Sequence, residues 1–270
     1  MLCNKYFICD NVTRAFEEVY TAVNRYGEEV NSRIGKTRHI TDVTIVVEDP
    51  YHNICLNAER NMSLKYMIGE IEWYMSGSNK VADIAKYAKM WNDLTDDGET
   101  VNSAYGYRLF HKFGFNQFEY CIEKLKANPY DRQAVMHIKE ADNKPTKDTP
   151  CTCLLQFTYE DGKLNLHTYM RSNDIWLGLP YDMAFFTVML QKACTATGLP
   201  AGKYYHTVGD LHLYEKHWNR PVGKTDELDL GEAGWDYTLE TFPSIDKILA
   251  GGEPSSHLLR RLWRLNHGKQ

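Results

Sequence analysis

The 270-residue chain contains no apolar run near the roughly 20 residues that span a bilayer, which argues against a membrane-spanning protein. Its first residues, M-L-C-N-K-Y-F-I-C-D, have neither a long apolar core nor a small-residue cleavage site, which argues against a secretory leader. Internal repeats, low-complexity tracts and Gly/Ser linkers are all missing, so one domain over residues 1–270 is the simplest organisation. A disulfide framework is missing too. The 7 cysteines are odd in number and irregularly spaced, as expected of reduced thiols in a cytoplasm. Positive charge is not in excess: a formal net charge of −5 argues against binding nucleic acid directly through charge alone. An anionic ligand would therefore need a local basic pocket. The triplet Gly35-Lys36-Thr37 lacks the upstream glycine of a phosphate-binding P-loop, which removes a nucleoside triphosphatase. Cys151 and Cys153 have no Cys or His pair at zinc spacing close by, so no metal is expected.

What is present has the balance of a globular protein, 43% hydrophobic and 25% charged. Val12, Phe16, Val19, Val23 and Tyr26 recur at helical spacing up to a capping Gly27, and Leu64, Ile68, Ile71 and Met75 mark a second helix. Val81, Ile84, Ala88 and Trp91 predict a third helix, and Phe118, Ile122 and Leu125 a fourth that stops at Asn128-Pro129. The β-branched run Thr41 to Val47 reads as a strand, and Asp161-Gly162 between Cys153–Tyr159 and Leu164–Met170 as a hairpin turn. A nearly all-apolar helix is expected from about Pro180 to Ala196, with later strands at Tyr204–Val208 and Tyr237–Phe242. Helices and strands mix without βαβ alternation, which places the fold in the α+β class.

Several side chains carry chemistry. Cys151 is a candidate nucleophile, and arginines nearby would pull its pKa toward neutrality, although a lone cysteine is more often a small buried hydrophobe. Arg171-Ser172 offers a guanidinium and a hydroxyl suited to a phosphate, with Arg33 and Arg132 as further candidates; any one of them alone reads equally well as a solvated charge. Glu70 borders the apolar stripe of its helix, one turn from Met67 and Tyr74, whereas Glu72 points away with Lys65. A carboxyl among apolar neighbours gains a raised pKa suited to proton transfer. Asp182 stands early in the buried helix, where an acidic residue also serves as an ordinary cap. His206, Asp210, His212 and Tyr214 crowd one strand-to-turn segment that could hold a sugar and a pyrimidine ring.

The motifs P-C-T-C, R-S-N-D-I-W-L-G-L-P and G-D-L-H-L-Y-E-K-H, in this order, resemble the thymidylate synthase family. The resemblance runs from about Arg33 to Tyr237. It implies an α+β fold, a large kinked mixed sheet flanked by helices, and a homodimer packed sheet against sheet. It implies that Cys151 adds to carbon 6 of a pyrimidine nucleotide, that Glu70 orders water and that Tyr105 assists proton removal from carbon 5. Arg33, Arg171, Ser172 and Asn173 are then nucleotide ligands, Arg132 a phosphate ligand donated across the dimer, and His212 and Tyr214 partners of the sugar 3′-hydroxyl. Trp91, Asp174, Leu177, Gly178 and Tyr181 would line the site of the co-substrate, 5,10-methylenetetrahydrofolate, with Asp174 shared between the two subsites.

Departures from the family pattern refine the expectation. Asp182 stands where thymidylate synthases have an asparagine that pairs with uracil; an acid suits the acceptor and donor of the cytosine edge. Together with Asn102-Ser103-Ala104-Tyr105-Gly106 and Cys151-Thr152, it is similar to the deoxycytidylate (dCMP) hydroxymethylases of bacteriophages. Gln133 replaces a second arginine, and the basic amphipathic stretch Leu258 to Leu265 replaces a short apolar tail. The expected activity is 5-hydroxymethylation of dCMP with methylenetetrahydrofolate and water. Rival readings are reductive methylation of dUMP, hydroxymethylation of CMP or dUMP, and a catalytically idle nucleotide- or RNA-binding protein.

Overall fold

The computed structural model describes residues 4–141 and 145–225. The strands are β1 (Tyr6–Cys9), β2 (Glu28–Asn31), β3 (Lys36–Val47), β4 (Val135–His137), β5 (Thr152–Glu160), β6 (Lys163–Met170), β7 (Asn173–Asp174) and β8 (Ala201–Tyr214). They form one mixed 8-stranded sheet in the order β1-β3-β8-β6-β5-β4, with β2 on β3 and β7 on β8. The helices are α1 (Val12–Tyr26), α2 (Leu64–Ser76), α3 (Val81–Ala85), α4 (Trp91–Leu94), α5 (Tyr105–Phe110), α6 (Gln117–Ala127) and α7 (Leu179–Thr197). The α+β expectation holds, as does the large mixed sheet with flanking helices. None of the described helices is long and apolar enough to cross a membrane.

Local chemistry explains most boundaries. Asn11, Ser63 and Asn116 cap α1, α2 and α6, each side chain accepting from a backbone N–H of the first turn. Gly77 and Gly198 end α2 and α7 in the left-handed region that costs glycine little. At the β5–β6 turn, Asp161 and Gly162 both have positive φ (51° and 79°), as a two-residue hairpin following the twist of its strands requires. The expected third helix is instead two short helices, α3 and α4, because Lys86 to Met90 turn away from a continuous axis to bring Trp91 inward. Neither β1, β2 and β4 nor α5 stood out in the sequence, being short and weakly periodic. The Tyr237–Phe242 strand and the Leu258–Leu265 stretch lie outside the described residues.

One face of the sheet carries α1 and α7. Along β8, Tyr204, His206 and Val208 are buried while Tyr205 and Thr207 alternate onto the other face. Phe185 and Phe186 of α7 are essentially inaccessible, and truncating such a ring would cost about 3–5 kcal/mol. The opposite face holds the His167–Tyr205 stack (4.3 Å between ring centres) and the half-exposed Tyr6, Ile8 and Tyr169. Between Thr41↔Asp210 and Val43↔Val208 the β3–β8 ladder is interrupted where Asp42 adopts a left-handed φ of 59° opposite Gly209, which kinks the sheet. Below that kink lie the ends of β5 to β8 and the start of α7, and the candidate site is built there.

Candidate active site

The β5–β6 hairpin sets Cys151 at the start of one strand and Arg171 at the end of the other. The Arg171 backbone N–H donates to the Cys151 carbonyl at 2.9 Å. The Arg171 guanidinium also donates to the carbonyls of Pro150 (3.1 Å) and Thr149 (3.0 Å) and lies 3.5 Å from the Cys151 Sγ. Despite this cation, burial dominates and pushes the Cys151 thiol up to about 11, with Arg171 opposing and Asp182 and Asp148 adding to the rise. The expectation that arginines bring this thiol near neutrality is corrected: a single exposed guanidinium does not offset the desolvation of the sulfur.

Two carboxyl groups face each other across the same space. Glu70 is buried on α2, accepts at 2.6 Å from the Tyr66 hydroxyl, and Tyr66 in turn accepts at 3.1 Å from the Trp91 indole. Burial raises the Glu70 pKa to about 8, the Asp182 charge adding to it and the tyrosine hydrogen bonds pulling back. Asp182 occupies the first turn of α7, capped by Gly178 rather than by its own side chain. Burial raises its pKa to about 7, with the Asn173 hydrogen bond pulling back and Asp174 adding to the rise. Both groups therefore take up a proton far more readily than a solvated carboxyl does.

Tyr105 reaches this site because Gly106 lets α5 pack directly on α2: a Cβ there would sit 1.6 Å from the Tyr74 carbonyl oxygen. The Tyr105 ring stacks on Tyr74 (5.1 Å, 17°), and its hydroxyl feels the charges of Asp182 and Cys151. Ser172 and His212 meet at 3.3 Å, and Tyr214 stands edge-on to His212 at 5.3 Å. Asn173, on β7, donates to Asp182 at 2.8 Å. Asp174 turns back to accept from the Trp176 and Leu177 backbone N–H groups, leaving its second oxygen buried and without a partner among the described residues. Tyr181 accepts from the Ser63 N–H and packs edge-on against Tyr66 at 4.8 Å. Leu177 is exposed, and Gly178 lies against the Asn173–Asp182 pair.

The structure thus brings together Cys151, Glu70, Tyr105, Asp182, Arg171, Ser172, Asn173, Asp174, Trp91, Gly178, Tyr181, His212 and Tyr214. Two arginines stand apart. Arg33 is exposed in the loop between β2 and β3, near enough for its charge to act on Tyr214. Arg132 is exposed on the loop between α6 and β4, where its carbonyl accepts from Gln156 at 3.5 Å. Among the described residues no hydrogen bond or ion pair joins the Arg132 guanidinium to the Cys151 site. Tyr66 and Tyr204 escaped the sequence reading. Tyr66 was discoverable as the residue one helical turn before Glu70, on the same face. No three His, Cys, Asp or Glu side chains among the described residues converge as metal ligands.

The thymidylate synthase family model matches residues 14–225, and the chain belongs to that family. It is also 30% identical, over 217 residues, to the deoxyuridylate hydroxymethyltransferase of Bacillus phage SP01. That match covers 75% of this chain and 57% of the phage protein, so the chain spans little more than half the length of this relative.

Proposed function

We propose that this chain, as a single catalytic domain, hydroxymethylates carbon 5 of dCMP with methylenetetrahydrofolate and water. One observation supports the choice of base: an acid, Asp182, stands where thymidylate synthases place an asparagine that pairs with uracil, one of its oxygens accepting from Asn173 and its pKa raised. A neutral carboxyl donates to cytosine nitrogen 3 and accepts from its amino group.

Cys151 adds as thiolate to carbon 6, which makes carbon 5 nucleophilic; Asp182 supplies a hydrogen bond where negative charge would otherwise build on the ring. The resting thiol is largely protonated, so as sulfur adds to carbon 6 its proton passes by way of Asp182 to ring nitrogen 3 and neutralises the charge that forms there. Methylenetetrahydrofolate supplies the one-carbon unit, and the orphaned Asp174 oxygen, the unpartnered ring nitrogens of His217 and the exposed Leu177 fit a polar heterocycle with an apolar face. Tyr105 assists removal of the carbon 5 proton. A water held by Glu70 then adds to the exocyclic methylene on the nucleotide, Glu70 taking the water's proton. Expulsion of the Cys151 thiolate restores the aromatic ring. Arg33, Arg171 and Ser172 hold the phosphate, and His212 and Tyr214 the sugar. The half-exposed sheet face around Tyr6, Ile8 and Tyr169 suits a homodimer in which Arg132 reaches the partner's phosphate site.

A second reading is hydroxymethylation of dUMP. It is favoured by the 30% identity to a protein described as a deoxyuridylate hydroxymethyltransferase, and a protonated acid also complements uracil when its donor and acceptor are exchanged. Incubating the protein with methylenetetrahydrofolate and either nucleotide, then identifying products by mass, tests both. Hydroxymethyl-dCMP with tetrahydrofolate released is expected; hydroxymethyl-dUMP formed at the higher kcat/KM would replace the first reading by the second. A methylated product with dihydrofolate would overturn both.

A further inference from the structure

Behind Asp182 a chain of buried polar side chains continues past the Asn173 hydrogen bond to residues that the chemistry above does not use. The Asp182 Oδ2 accepts from Asn173 Nδ2 at 2.8 Å, Asn173 Oδ1 meets His206 Nε2 at 3.0 Å, and His206 Nδ1 meets the Tyr204 hydroxyl at 2.7 Å. His206 and Tyr204 are fully inaccessible and Asn173 is nearly so. The chain has one consistent sense when Asp182 is ionised. A carboxylate only accepts, so the Asn173 amide nitrogen must face it, the amide oxygen must face His206, and Nε2 must carry the imidazole proton. Nδ1 then accepts from the Tyr204 O–H. Burial depresses the His206 pKa to about 3, in keeping with a neutral ring that has one donor and one acceptor.

We propose that Asn173 and His206, backed by Tyr204, are positioning residues that fix the hydrogen-bonding polarity of the Asp182 carboxyl and thereby set which pyrimidine edge it reads. The inference rests on the assignment of Asp182 to the base.

A carboxylic acid left to itself is an ambiguous reader: moving its proton between the two oxygens converts a partner for cytosine into a partner for uracil. When Asp182 takes up a proton, His206 and Tyr204 hold the Asn173 amide in that same orientation, so Oδ2 stays engaged by a donor, the proton goes to Oδ1 and the two oxygens stop being equivalent. One side of the carboxyl donates and the other accepts. Space is kept for the pair, since a Cβ at Gly178 would lie 3.0 Å from Asn173 Nδ2 and 3.2 Å from Asp182 Oδ2.

The test is the ratio of kcat/KM for dCMP to that for dUMP in the full-length protein, wild type against His206→Phe and His206→Gln. The phenylalanine variant keeps an aromatic ring and removes both nitrogens; its ratio should move toward unity by about tenfold. The glutamine variant, whose amide N–H can replace that of Nε2, should recover much of the wild-type ratio. An equal loss on both nucleotides, with the ratio unchanged, would show a purely structural role and overturn the proposal. A wild-type preference for dUMP overturns the cytosine reading alone, because the ratio must still collapse in His206→Phe. If that variant does not fold, nitrogen NMR of histidine-labelled wild-type protein decides: a neutral ring protonated on Nε2 from about pH 5 to pH 8 supports the relay, and protonation on Nδ1 overturns it.

Discussion

The wall of the site assigned above to the base and the rim assigned to the phosphate are built on opposite plans. On the wall, Glu70, Tyr105, Asn173 and His206 are buried, and each has its hydrogen-bond or stacking partners in place before any ligand arrives. On the rim, Arg33, Arg132 and Arg171 are exposed, and among the described residues only Arg171 is tied down, by the carbonyls of Thr149 and Pro150. Selectivity and proton transfer need fixed geometry in a poorly solvated place, whereas capture of an anion needs only charge that can rearrange. Perturbations of the wall should therefore alter turnover and selectivity, and perturbations of the rim should alter KM and salt dependence.

The largest effect is expected at Cys151. Cys151→Ala should reduce product to background and abolish any covalent nucleotide adduct seen by mass spectrometry, while dCMP still binds. Turnover retained in this variant would break the comparison at its centre. Glu70→Gln comes next, with kcat falling by roughly 10²–10⁴ while the KM for dCMP stays nearly constant. The same variant has a stability signature. A carboxyl whose folded pKa lies above its ordinary value of 4.5 favours the fold most at low pH, and that advantage fades as pH climbs toward about 8. Glu70→Gln removes this titration, so its Tm relative to wild type should rise between about pH 5 and pH 8. A Tm difference independent of pH would show that Glu70 is ionised in the native protein.

Asp182→Asn sharpens the comparison further. Leaving a buried donor or acceptor unmatched costs about 1–3 kcal/mol, so preference should move from dCMP toward dUMP by roughly 10- to 100-fold. An unchanged ratio of kcat/KM values would remove Asp182 from base reading.

This contrast between wall and rim also separates what could be read in the sequence from what could not. Local patterns survived: the Asp161-Gly162 turn, the α1 stripe and the apolar α7 are encoded by neighbours in the chain. So did the association of Cys151 with Arg171, which the hairpin register brings side by side. Partnerships between distant segments were invisible. Glu70 borders an apolar stripe in the sequence, yet part of the rise in its pKa comes from the charge of Asp182, which arrives from another helix, α7. The Cys151 pKa was misjudged for the same reason, since proximity to arginine can be read from a motif but desolvation cannot. The break between α3 and α4 shows tertiary packing of Trp91 overriding a helical period.

The rim should give the smallest effects, and Arg132 the most instructive of them. Exposed charges contribute little individually and are screened by salt, so Arg132→Ala should raise the KM for dCMP by about tenfold or less, with the difference shrinking as ionic strength rises. Its position on an exposed loop, with no hydrogen bond or ion pair to the Cys151 site among the described residues, makes donation across a dimer the question to decide. Mixing Arg132→Ala with Cys151→Ala answers it under conditions that allow subunits to exchange. If the arginine crosses the interface, a hybrid contains one site with an intact cysteine from one subunit and an intact arginine from its partner, and wild-type KM returns for that fraction. If the arginine serves its own subunit, the only site with a cysteine in the hybrid lacks it, and the raised KM persists at every mixing ratio. The second outcome would return Arg132 to the surface charges and leave Arg33 and Arg171 as the phosphate ligands of the rim.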